Sequence, residues 1–222
     1  MMFSKLRSKK FNVILLHHAA AILKQDMPEA VKDLDGVLSK IELPIKELIQ
    51  GGGGEGKLTQ RMRNKLSDLG WEKHTFNIHK FIDGKEKESI SHEVDHVKNF
   101  TNGSIALEIE WNNKDPFYDR DLENFKRLHA EGAISVGVIV TRGSTLQDAF
   151  RDRIEQYAIK NGLNSVTELE KFYDPTKRQL ANFVKAAQSK GSFEAGWAHA
   201  FVSDKFGEAT THWRKLEDRV SR

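Results

Sequence analysis

The sequence predicts an α/β protein: a mixed β-sheet core flanked by helices. Three observations carry this expectation. Apolar and charged residues alternate with period two from Ile105 to Trp111, an amphipathic helical pattern runs from Pro116 to Ala130, and Ile134 to Val140 is a continuous apolar run. Strand, helix and strand in that order make one βαβ unit with a right-handed crossover, so part of the sheet is parallel. The segment ahead of the unit reads as a hairpin, which supplies antiparallel strands.

In chain order, residues 12–49 read as helical, with apolar positions at Ile14, Leu15, Ile22 and Leu23 and again at Val31, Leu34, Val37, Leu38 and Ile41, punctuated by Pro28 and Pro44. The run from Gly51 to Gly56 holds five glycines and one glutamate and reads as a mobile loop. It lacks the Lys-Ser/Thr ending of a phosphate-binding loop and is not read as a nucleotide site. A helix over 57–69 ends at Gly70, suited to a left-handed C′ position. Trp71 to Ile82, a turn at Asp83-Gly84, and Ser89 to Phe100 read as the hairpin. After the strand at 105, the helix starting at Pro116 takes Asp115 as its N-cap and ends before Gly132. The apolar run at 134–140 reads as a central strand buried on both faces. Leu146 to Lys160 and Ser165 to Lys190 read as helices, the second broken near Asp174-Pro175, and Glu208 to Arg222 as a short helix.

At 222 residues one domain is expected, with N-terminal helices over 12–50, a core over about 57–142 and a helical region over 143–222. The absence of cysteine excludes disulfides and thiolate metal sites and suits a reducing cytosol, so a cytoplasmic protein is expected. Val13 to Leu16 is too short, and too soon interrupted by His17 and His18, for a signal peptide or membrane span, so no membrane partner is expected. A net charge of +3 does not by itself indicate a polyanionic partner. Locally, Lys57, Arg61 and Lys65 recur at i, i+4 and i+8 with no acid between them. Such a stripe is either a phosphate contact or a solvated helix face.

The strand from Ile105 carries the chemistry. Its period puts Glu108 and Glu110 on one face, with Cα atoms about 6.5 Å apart at a rise of ~3.3 Å per residue. Like charges so placed repel unless a cation or a solvated edge relieves them. The turn Thr101-Asn102-Gly103-Ser104 can fold Asp95 back beside them, gathering three carboxylates suited to a hard cation such as Mg²⁺. The pattern equally describes an edge strand with a solvated acidic face.

Asp95-His-Val-Lys, a short turn, then Ile105-Ala-Leu-Glu108-Ile-Glu110-Trp-Asn112-Asn113 resembles the active-site segment of restriction endonucleases of the BglII, BstYI and BamHI type, in the PD-(D/E)XK nuclease superfamily. Leu69-Gly70-Trp71-Glu72-Lys73 before it follows the family's order. So do the helix and strand after it, with their Thr141-Arg142-Gly143 loop, and a late Thr210-Thr211-His212-Trp213-x-x-Leu216 segment. The three acids alone are weakly specific. The ordered set, covering residues 57–142 and more loosely 205–222, carries the resemblance.

The resemblance implies a restriction-endonuclease-like fold and a type II enzyme that cuts double-stranded DNA with Mg²⁺. Asp95 and Glu108 become metal ligands. Glu110 stands where most of the superfamily has lysine; a lysine would supply fixed positive charge, whereas a glutamate can hold or deprotonate the attacking water or ligate a second metal. Asn112 and Asn113 match positions that reach base edges, where an asparagine can donate and accept at once. Thr210, Thr211 and His212 match a second contact segment. Arg142 is suited to guanine or to a phosphate, and Lys57 and Arg61 to phosphates. The resemblance further implies a homodimer on a short palindromic site, a cognate DNA methyltransferase, and, from the named relatives, a GATC-centred sequence. Relatives continue past the position of Arg222 into a further apolar strand. The competing readings are a non-catalytic DNA-binding protein on the same fold and a repair nuclease that acts on DNA structure.

Overall fold

A computed structural model describes residues 1–49, 55–172 and 174–221, so the glycines at 51–54 lie outside the described residues. The chain divides into two compact units. One comprises Met1–Ile41, Thr59–Glu110 and Pro116–Thr141, the other Glu42–Leu58, Trp111–Asp115 and Arg142–Arg222.

The first unit holds the sheet: β1 (Glu72–Ile82), β2 (Lys85–Phe100), β3 (Gly103–Glu110) and β4 (Val136–Thr141), in that spatial order. β1, β2 and β3 pair antiparallel and β4 runs parallel to β3, which is the mixed sheet the sequence indicates. Asp83 (φ 51) and Gly84 (φ 72) make the two-residue left-handed turn between β1 and β2, whose backbone twist matches that of the strands. β2 starts at Lys85 rather than Ser89. Both faces of this end of the hairpin are exposed, so its residues carry no apolar alternation.

Between β3 and β4 the crossover helix, α6 (Phe117–Ala130), buries Tyr118, Asp121, Phe125 and Leu128 in one stripe. The Phe125 ring lies where a Cβ on Gly137 would stand, so the glycine lets helix and strand pack closely. Two expectations are corrected here. The N-cap is Pro116 and makes no side-chain cap bond, while Asp115 falls in the other unit, pairing with Arg219 at 3.5 Å. The apolar run at 134–140 is an edge strand among the described residues, and the central buried strand is β3.

Helices α1 (Ser4–Ser8), α2 (Ala19–Gln25), α3 (Pro28–Leu38) and α5 (Lys57–Ser67) flank the sheet region in sequence, and α4 (Ile45–Ile49) belongs to the second unit. The helical run expected over 12–49 is therefore interrupted. Pro28 opens α3 within its first turn, where its missing N–H costs nothing. Asp33 of α3 accepts from Trp71 Nε1 at 3.1 Å and from Lys98 Nζ at 2.7 Å, which docks the helix to the start of β1 and to β2. α5 buries Leu58, Met62 and Leu66 and leaves Lys57 and Lys65 exposed. Gly70 (φ 81) closes it, the Trp71 N–H returning to Leu66 O and the Gly70 N–H to Ser67 O.

The second unit is helical: α7 (Ser144–Lys160), α8 (Val166–Glu170), α9 (Lys177–Lys190), α10 (Phe193–Lys205) and α11 (Trp213–Val220). Thr176 and Gln179 cap α9 reciprocally, and Gly191 (φ 83) ends it. α10 has no counterpart in the sequence reading. It packs on both α7 and α9 and buries Trp197, Ala198, Phe201 and Val202, so it lacks the polar face that marks a surface helix. Gly196 of α10 meets the backbone of Ala187 directly.

Candidate active site

β3 brings the two glutamates inside. Glu108 is 7% exposed and Glu110 2%, and the strand has neighbours on both sides, so the solvated-edge reading fails. β2 and β3 pair up to His96 and Leu107, which puts Asp95 and Glu108 next along the ladder, and the Asp95 N–H donates to Glu108 Oε1 at 3.4 Å. The Glu108 carboxyl is pushed up to about 8, first by burial and then by the negative charges of Asp95 and Asp121; the Asp95 N–H and Arg120 oppose the shift. The Asp95 side chain is itself largely exposed, with Lys73 Nζ 3.8 Å from its Oδ1 and 2.6 Å from Glu93 Oε1.

Two residues of α6 that the sequence reading passed over face this site. Arg120 Nη2 stands 3.9 Å from Glu110 Oε1 and 2.8 Å from Asp121 Oδ1. Arg120 Nε donates to that same Asp121 oxygen at 2.9 Å. Asp121 is 1% exposed, and its other oxygen, Oδ2, has no hydrogen-bond partner among the described residues. The available signal was its spacing: 118, 121, 125 and 128 fall on one helix face, and an aspartate there breaks an otherwise apolar stripe.

The expected convergence is not preformed. Among the described residues no three Asp, Glu or His side chains are gathered so as to hold an ion as they stand. The electrostatics account for this: Glu108 leans on the Asp95 amide, Glu110 faces Arg120 and Asp95 faces Lys73, each carboxylate meeting a donor or cation in place of its neighbours. The donor set nevertheless fits a hard divalent cation, being all carboxylate oxygen and including a buried oxygen, Asp121 Oδ2, with no hydrogen-bond partner among the described residues.

In the second unit, the two segments expected to contact DNA are joined. Asn113 N–H donates to Thr211 Oγ1 at 3.0 Å, Thr211 N–H to Asn113 O at 2.8 Å, and Lys114 bridges Thr210. Arg142 ties both down. Its guanidinium is fully buried, against the rings of Trp111, Phe150 and Phe206, and donates to Trp111 O, Asn112 Oδ1, Thr210 Oγ1 and Gln147 Oε1 at 2.8 to 3.0 Å. In this structure the Arg142 donors go to the protein's own acceptors. Thr211 and His212 are likewise fully buried. Burial holds the His212 imidazole below its ordinary pKa, with Glu208 Oε2 3.4 Å from Nε2 opposing the shift. Asn112 is half-buried, Asn113 exposed and Thr210 half-buried. On α5, Lys57 is exposed and Arg61 half-buried.

The family model of restriction endonuclease BglII/BglIII matches residues 11–222. No curated protein matches the chain. No helix among the described residues is long and apolar enough to cross a membrane.

Proposed function

The chain belongs to the BglII/BglIII family of restriction endonucleases, and from that premise we infer that it cuts duplex DNA at a short palindromic site, as a homodimer and with Mg²⁺. Membership makes it a type II site-specific deoxyribonuclease acting on double-stranded DNA, in a family that uses a divalent metal. The observation that carries the site assignment is the pair of buried glutamates on the central strand, with Asp95 next to Glu108 across the ladder. Unrelieved burial of such a pair is costly, and a cation offsets that cost.

In this reading Asp95 and Glu108 hold the ion. When bound, the ion lowers the pKa of water and neutralises charge that builds on the phosphate. Glu110 takes the proton of the attacking water, and Arg120 gives this carboxylate the fixed positive neighbour that a lysine at position 110 would have provided. Water then displaces the leaving sugar oxygen in line. Asn112 and Asn113 reach base edges, with Arg142, Thr210, Thr211 and His212 holding them in place, while Lys57 and Arg61 contact phosphates. A GATC-centred site and a cognate methyltransferase complete the reading.

The test is digestion of plasmid DNA with Mg²⁺, with Ca²⁺, and with the Glu108→Gln protein, alongside the molar mass in solution. Discrete fragments formed only by the intact protein with Mg²⁺, from a species of twice the chain mass, are expected. Tight, selective binding without cleavage would favour a non-catalytic binding protein, and unselective degradation a structure-directed nuclease.

A further inference from the structure

We propose that Asp121 is a further ligand of the divalent ion, contributed by α6; this rests on the metal-dependent reading above. The helix places a carboxylate on its buried stripe, where Tyr118, Phe125 and Leu128 are its companions. A structural ion pair would account for that if the Arg120 fork engaged both oxygens. It does not: Arg120 Nε and Nη2 both go to Oδ1, and Oδ2 is left buried with no hydrogen-bond partner among the described residues. Buried carboxylate oxygens are ordinarily hydrogen-bonded, so an orphan of this kind marks a missing partner. The nitrogen that touches Asp121 Oδ1 also faces Glu110 Oε1, which puts the helix carboxylate and the strand carboxylate at one place. A cation there would meet donors from both α6 and β3, an all-oxygen set of the kind hard divalent ions select.

Manganese(II) chloride is titrated into the full-length protein, followed by calorimetry and by the electron paramagnetic resonance of free Mn²⁺. Wild type is compared with Asp121→Asn, Asp121→Glu and Glu108→Gln, and the melting temperature of each is measured without metal. Asp121→Asn is expected to weaken Mn²⁺ binding at least about tenfold, a loss within the range for groups around a metal. Its metal-free melting temperature should hold, because the amide oxygen of asparagine still accepts from the Arg120 fork. Asp121→Glu keeps a carboxylate at displaced reach; it should bind Mn²⁺ measurably more weakly than wild type, and it carries the test if the asparagine variant does not fold. Wild-type Mn²⁺ affinity in the Asp121 variants, with binding lost in Glu108→Gln, would overturn the proposal and leave the metal reading intact. A lowered melting temperature with unchanged affinity would overturn it too, making Asp121 a structural partner of Arg120. A wild-type protein that binds no Mn²⁺ would instead strike the metal reading itself.

Discussion

The Arg142 guanidinium donates to Asn112 Oδ1 across 2.8 Å, so one residue expected to read DNA is held by another expected to do the same. With one lone pair of Oδ1 committed to Arg142, the Asn112 side chain is held at its acceptor end, and its donors are those of the NH₂ group. The fork also reaches Thr210 Oγ1, and thereby fixes the 111–113 and 210–212 segments against each other. Arg142→Lys keeps the charge but replaces a planar fork that serves four acceptors by one ammonium with three donors, so at least one acceptor loses its partner. The expected outcome is a loss of about 3 kcal/mol in folding stability, from breaking a buried charged network. Urea denaturation measures this. Selectivity for cognate over random DNA should fall at the same time, while binding to random DNA changes little.

Glu108 sets a pH dependence whose sign runs opposite to the usual carboxylate. Its folded value of about 8 lies above the ordinary 4.5, so the native state holds a proton that the unfolded chain releases. Stability from this group is complete below about pH 4.5 and is lost steadily as pH rises toward about 8, by a few kcal/mol at most. Glu108→Gln keeps the neutral shape at every pH. Thermal melts without metal should therefore show the variant gaining on wild type as pH rises, and gaining little further above about pH 8. An equal difference at pH 5 and pH 8.5 would contradict the assignment. The same residue should abolish cleavage when changed, which makes its stability gain the reverse of its functional effect.

The pattern of residues 105–111 made β3, its two-glutamate face and the βαβ unit legible, because a strand's period of two and a helix's of 3.6 leave separable marks. What the pattern could not show was burial on both sides. β3 and β4 both carry apolar runs, and which of them is central is decided by β2 pairing with β3 on the side away from β4, not by either segment alone. α10 was illegible for a related reason: a helix covered by α7 and α9 has no polar face to set its phase. Asp121 and Arg120 were hidden because an Arg-Asp pair on a helix reads as a solvated face until the burial of Asp121 is seen. The burial of Arg142 was illegible because an arginine in a loop at a strand end reads as exposed, and the three aromatic rings that enclose it come from positions 111, 150 and 206.

Gly196 sets how closely α10 approaches α9. A Cβ at that position would strike the backbone of Ala187, which cannot turn aside as a side chain could. Gly196→Ala forces the two helices apart and opens the core around Phe183 and Trp197. The helix propensity gained by alanine, about 1 kcal/mol, is smaller than the cost of such overpacking, about 2 to 3 kcal/mol. A net loss of stability is expected in urea. A gain would mean that the helices do not pack backbone to backbone at this point.

The basic stripe on α5 can be tested apart from cleavage and from sequence. Lys57 and Arg61 stand one turn apart on a helix whose Leu58, Met62 and Leu66 are buried. If both contact phosphates, each releases about one condensed counterion on binding, and the affinity falls with salt accordingly. Replacing both by glutamine should flatten the slope of log affinity against log salt concentration by about 2, with equal losses on cognate and random duplexes. Binding measured by fluorescence anisotropy at several salt concentrations reports both quantities. A slope that does not change would make the stripe a solvated helix face, since a charge that displaces no counterion touches no phosphate.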